Sequence, residues 1–224
     1  MSAETQPIQL ALPDGAVSAL LQVPPSPRAG FVFAHGAGAG MEHPFMAQVA
    51  AGLVDRGVAV LRYNFPFMDR GSRRPDPPGV AHAAVRAAVT QAAERLSGTP
   101  LFAGGKSFGG RMSSQAQAAT PMPGVRGLVF LGFPLHPAGK PSKARADHLQ
   151  DIDIPMLFLQ GSRDALADPD LVRQVVAGIG TRATLHMVDG MDHAFHVLAR
   201  SGRSDSAVLD ECLDRMADWM TALA

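Results

Sequence analysis

Two rhythms of apolar positions alternate along the chain. One is a short run that is apolar nearly throughout; the other is a longer stretch with one apolar face. The first predicts strands buried on both sides and the second predicts amphipathic helices. Ile8–Leu12 and Ala16–Val23, separated by the turn residues Pro13-Asp14-Gly15, predict a hairpin. Pro24-Pro25-Ser26-Pro27 then breaks the chain ahead of an apolar strand, Gly30–Ala34, and a glycine-rich loop, His35–Gly40. A helix is expected over Pro44–Asp55, with the proline in its first turn and Phe45, Val49 and Leu53 on one face. Further strands are expected at Val58–Tyr63, Leu101–Gly104, Val125–Phe133, Pro155–Gln160 and Ala183–Val188. Helices are expected between and after them at Gly79–Leu96, Phe108–Ala119, Asp168–Ile179 and Asp205–Leu223. Asp168, just before Pro169, suits the cap of its helix.

This alternation predicts an α/β fold: a mostly parallel sheet of seven or eight strands, an N-terminal antiparallel hairpin and helices on both faces. Active residues in such folds gather at the carboxyl ends of the strands. No repeat or linker divides the chain, so one domain over residues 1–224 is expected. The stretch Pro134–Ile154 is too short to build a cap domain.

Composition narrows the function. Hydrophobic residues make up 46% and charged residues 18%, which suits a chain with a large core. Twenty basic and 20 acidic side chains cancel, leaving no electrostatic footprint for nucleic acid or an anionic membrane. The single cysteine, Cys212, cannot form an intrachain disulfide, the N-terminus lacks a signal-peptide pattern, and no apolar run approaches the ~20 residues of a membrane span. A cytoplasmic location is the expectation.

The chemistry is carried by Gly105-Lys106-Ser107-Phe108-Gly109, a G-x-S-x-G motif that follows a strand and opens a helix. In that context the turn lifts the serine hydroxyl above the sheet edge, and Ser107 becomes the candidate nucleophile. An ordinary turn with a helix-capping serine is the plainer reading of the same residues. A serine needs a base, and the base needs an orienting acid, in the chain order Ser, Asp or Glu, His. Asp164 follows the strand ending at Gln160, and His193 follows the last strand, so both fall at the edge where Ser107 falls. Asp189 and Asp192 flank His193 too closely to be favoured as its partner. The oxyanion donors would be the N–H group of Phe108 and a second from the His35–Gly40 loop, whose resemblance to the oxyanion loops of esterases implies Ala37, with His35 pinning that loop. Met41, Phe65, Leu135, His136 and Met191 are expected to wall a substrate pocket. Lys106 is expected to pair with a buried carboxylate, or else to attract an acidic substrate.

Cofactor motifs fail at single positions. A phosphate loop needs glycine where Pro100 stands, and a dinucleotide fingerprint needs glycine where Met41 stands. His193 and His196 lack a third ligand nearby for a metal. No cofactor and no metal are expected.

The segments AHGAGAGMEHPFM (34–46), RYNFPF (62–67), GGKSFGGRM (104–112), GFPLHPAGKPSKARADHL (132–149), GSRDAL (161–166) and GMDHAF (190–195) together resemble the α/β-hydrolase superfamily. The likeness covers nearly the whole chain. It is strongest to the small, cap-less, testis-expressed-protein-30-like branch near the dienelactone-hydrolase-like proteins. The resemblance implies a Ser107–Asp164–His193 triad. Ser107 stands where true dienelactone hydrolases carry cysteine, so their substrate is not implied. The branch also includes a chromatin-complex subunit, and a non-catalytic scaffold or binding protein is therefore the alternative. The leading expectation is a serine hydrolase of small carboxylic esters or thioesters.

Overall fold

The carboxyl edge of one sheet collects every loop that matters here, and strand register explains why. The computed structural model describes residues 4–224. Strands β1 (Thr5–Leu12) and β2 (Gly15–Gln22) form the antiparallel hairpin, and β2 pairs antiparallel with β4 (Val58–Tyr63). From β4 onward the pairing is parallel, through β3 (Ala29–Ala34), β5 (Leu101–Lys106), β6 (Val125–Leu131), β7 (Met156–Gly161) and β8 (Ala183–Val188). The order in space is β1-β2-β4-β3-β5-β6-β7-β8. Strand order reverses between β3 and β5, and at such a switch point a crevice opens beyond the strand ends.

The all-apolar β3 shows how the two cores form. Phe31 and Phe33 face one side, where α1 (Pro44–Asp55) and α6 (Asp205–Ala222) cover them with Val49, Leu53, Met216 and Met220. Val32 and Ala34 face the other side, under α3 (Pro78–Arg95), α4 (Phe108–Ala119) and α5 (Pro169–Ile179). Asp168 caps α5, accepting from the Asp170 and Leu171 N–H groups.

Four short elements, Pro66–Asp69, Ala144–Asp151, Gly180–Arg182 and Ala199–Ser201, were absent from the sequence expectation, and the first two bear on the site. One is the single turn α2, Pro66–Asp69. The other is a 3-10 segment, Ala144–Asp151, which occupies the β6–β7 connection and seats Ala146 and Leu149 against the core. Strand β5 runs on to Lys106, and β6 stops at Leu131, short of Phe133.

Candidate active site

Ser107 sits between β5 and α4 with φ 51° and ψ −112°, left-handed backbone that a non-glycine residue adopts at a cost of about 1–3 kcal/mol. The turn is held by close approach. A Cβ on Gly105 would lie 2.3 Å from the Ala34 carbonyl oxygen, and one on Gly109 would lie 2.5 Å from it. The Ser107 side chain makes no capping bond to α4, so the capping reading of this serine does not hold. Its Oγ lies 2.9 Å from His193 Nε2.

His193 Nδ1 lies 2.7 Å from Asp164 Oδ2. A carboxylate only accepts, so the imidazole carries its proton on Nδ1 and turns a lone pair toward the serine hydroxyl. Asp164 is buried, its side chain only 1% exposed, and accepts from Gln160 Nε2 at 2.6 Å and from the Leu166 N–H at 2.8 Å. The neighbouring acids are engaged elsewhere. Asp189 accepts from Ser162 Oγ, and Asp192 accepts from the Ala194 and His196 N–H groups. His196 turns away to Asp205, at 2.8 Å.

The His193 turn is itself constrained. Phe195 takes φ 68°, uncommon for an aromatic residue, and its ring meets Phe45 edge-on at 5.1 Å. Lys106 reaches under this turn: its ammonium donates to the His193 carbonyl and sits 5.0 Å from the Phe195 ring centroid and 5.9 Å from that of Phe45. Neither sequence expectation for Lys106 describes this contact, since the partner is a backbone carbonyl. Burial pulls its pKa down from 10.5 to about 8, and the charges of Asp164 and Asp192 partly offset that pull.

The loop after β3 is pinned by His35. Its Nε2 accepts the Phe65 N–H at 2.9 Å, which leaves Nδ1 to donate to the Gly36 carbonyl at 2.7 Å. Both bonds use the neutral ring, and burial lowers the pKa to about 4, so the clamp persists through ordinary pH. Asn64 Oδ1 and Arg62 hold the far end of the loop through the Met41 N–H and carbonyl. Among the described residues neither the Ala37 nor the Phe108 N–H donates to a protein acceptor. Both residues border the space around Ser107.

Two clefts meet there. One, of about 600 Å³, is lined by Gly36, Gly38, Lys106, Arg163, Asp192, His193 and Ala194 as well as Ser107 and Ala37. The other, of about 370 Å³, is lined by Asp76, Phe108, Arg111, Met112, Pro134 and Arg145 among others. A groove of about 620 Å³ between α1 and α6 passes behind the His193 loop, but Ser107 does not line it.

The expected pocket wall is corrected by this geometry. None of Met41, Phe65, Leu135, His136 and Met191 lines either cleft at Ser107. Each is buried, and each has a structural task. Phe65 packs edge-on against His35, and Met191 lies with its carbonyl against Gly161. His136 Nε2 accepts the Asp168 N–H at 2.9 Å. Leu135 and Met41 belong to the core. Large apolar side chains near a strand end were drawn inward by the area they could bury. The residues that do line the clefts include six charged ones among small and apolar neighbours, and of these six sequence reasoning missed Asp76, Arg111, Arg145 and Arg163. For Arg111 a signal existed, since it lies four residues after Ser107 and so stacks above it on α4.

A sequence model described as an alpha/beta hydrolase domain matches residues 27–221. The fold is similar to that of a dienelactone hydrolase from Anabaena variabilis, with a TM-score of 0.80 at 17% identity over 100% of this chain and 99% of that one. It is also similar to a serine hydrolase without lid from Xanthomonas campestris, with a TM-score of 0.74 at 22% identity, covering 95% and 93% of the two chains. An esterase domain from Rhodothermus marinus gives 0.74 at 16% identity, over 98% of each chain. The chain belongs to the alpha/beta hydrolase domain family.

Proposed function

We propose that the protein is a serine hydrolase of small carboxylic esters or thioesters, working through an acyl-serine intermediate. The observation that carries this reading is the unbroken line from Ser107 Oγ through His193 to the buried Asp164. His193 Nε2 takes the hydroxyl proton as Oγ attacks the carbonyl carbon. The Ala37 and Phe108 N–H groups hold the resulting oxyanion, and Asp164 stabilises the imidazolium. His193 then protonates the departing alcohol or thiol, and water repeats the sequence on the acyl-enzyme. The strain at Ser107 also supports chemistry over scaffolding, because a binding module gains nothing from a left-handed serine.

The test is labelling by a fluorophosphonate probe together with hydrolysis of p-nitrophenyl esters. Ser107→Ala should abolish both and leave the thermal midpoint nearly unchanged. Full activity in that variant would remove Ser107 from the role.

A further inference from the structure

We infer that the smaller cleft beside Ser107 is an oxyanion subsite, in which Arg111 and Arg145 bind a carboxylate or phosphate carried on the acyl part of the substrate. The inference rests on the hydrolase reading above and names its substrate class: esters or thioesters of acids that bear a second, anionic end.

The two guanidiniums come from different elements. Arg111 follows Ser107 by one turn of α4, about 5.4 Å of rise, and its N–H donates to the Ser107 carbonyl at 3.1 Å. Side chains on a helix lean toward its N-terminus, so Arg111 leans back over the turn that begins at Ser107. Arg145 comes from the 3-10 segment in the β6–β7 connection, and both line the cleft together with Ser107 and Phe108. Both are half-buried, and among the described residues neither guanidinium has a hydrogen-bond or ion-pair partner. They are close enough that the charge on Arg145, added to burial, disfavours the charge on Arg111.

Two like charges held part-buried without a counter-ion are costly, and an anion between them relieves that cost. The acid in the same cleft does not supply it. Asp76 is committed to Arg70 and to the Phe67 N–H at 2.7 Å. His148, close enough to feel the Arg111 charge, is held neutral chiefly by burial, with a pKa of about 4, and bonds to Ser114 Oγ at 2.8 Å. The larger cleft differs, because its cations are engaged: Lys106 with the His193 carbonyl and Arg163 with the Gly190 carbonyl.

The side of the site follows from proton transfer. His193 must protonate the leaving group, so the alcohol or thiol departs along the cleft that His193 lines. The arginine cleft is then left for the acyl chain.

The experiment compares p-nitrophenyl hydrogen glutarate with p-nitrophenyl valerate, which has the same acyl length and no charge. Wild-type kcat/KM should favour the glutarate by about tenfold or more at low salt, and the preference should shrink as KCl rises. The ratio should fall about tenfold in Arg111→Gln and in Arg145→Gln, approach one in the double variant, and largely survive in Arg111→Lys. Equal rates on the two esters in wild type, or a preference that persists in the double variant, would overturn the subsite while leaving the hydrolase standing. A binding arm separates the opposite failure. Calorimetry on Ser107→Ala with ethyl hydrogen glutarate should show binding that the double arginine variant in the same background loses. Displacement by inorganic phosphate more than by acetate points to a phosphate-bearing acyl group, and the reverse points to a carboxylate. Displacement by neither overturns the subsite. Binding without any turnover in wild type would instead overturn the hydrolase reading.

Discussion

The imidazole of His193 is positioned from both ends, and the two supports act differently. Asp164 works through Nδ1. Replacing it with asparagine permits the wrong tautomer, so Asp164→Asn should lower kcat by about 10³–10⁴ with little change in KM. If that variant is harmless while Asp189→Asn or Asp192→Asn is crippling, the acid has been misassigned. Lys106 works through the backbone, donating to the His193 carbonyl from between two aromatic rings. Lys106→Met should lower kcat by about tenfold, as expected for a hydrogen bond from a charged donor, with a smaller effect on KM. Its titration gives a second readout with a definite sign. The folded pKa, about 8, lies below the ordinary 10.5, so between those values the unfolded chain binds the extra proton. Stability should therefore rise with pH across that window in wild type, and this component should be absent in Lys106→Met. Urea titrations at pH 7.5, 9 and 10.5 check it, and identical pH slopes for the two proteins would contradict the buried ammonium.

At the scale of elements, the site depends on how closely β3, β5 and α4 approach. Register sets Ala34 opposite Gly105, so the loop carrying Ala37 leaves the sheet beside the turn carrying Ser107. Gly109 lets α4 come down onto that junction: a Cβ there would meet the Ala34 and His35 carbonyl oxygens at 2.5 and 2.6 Å. Both obstacles are backbone and cannot swing aside. Gly109→Ala should cost about 1–3 kcal/mol and lower the thermal midpoint by several degrees. Gly38→Ala, in the His35–Gly40 loop but with nothing within 4 Å of its Cβ, should leave the midpoint near wild type. Differential scanning calorimetry on the pair separates packing from any general intolerance of the loop to alanine. The same closeness explains what was legible in advance. The run of glycines about Ser107 and the strand–helix alternation follow from local pattern, so β3 to β8 and α3 to α6 were readable within a few residues. The turn α2 was not, because four residues from Pro66 to Asp69 are too few to show a helical period. Nor was the 3-10 segment Ala144–Asp151, where only Ala146 and Leu149 are buried in a polar stretch. Met41, Phe65, Leu135 and Met191 mark the other limit. Apolar character says that a side chain will be buried, and leaves open whether core or cleft receives it.

For the whole molecule, the chain carries no net charge, and no helix among the described residues is long and apolar enough to cross a membrane. The site lies open at the edge of a lidless sheet, and the β6–β7 connection lays a 3-10 segment over α4 in place of a cap. That arrangement limits how much of a neutral acyl chain can leave water. Each methylene that is buried adds about 0.8 kcal/mol to binding, and the gain stops once carbons protrude. The cleft assigned to the acyl side is about 370 Å³, and its walls include Asp76, Arg111 and Arg145. A long alkyl chain would thus meet charge and solvent after its first few carbons. Across neutral p-nitrophenyl esters kcat/KM should peak at short acyl chains, about two to six carbons, and fall beyond them. Arg111→Leu should move that optimum toward longer chains, because it replaces a guanidinium by apolar wall in the same place. An optimum at long acyl groups in the wild type would require an apolar tunnel where the structure places two arginines.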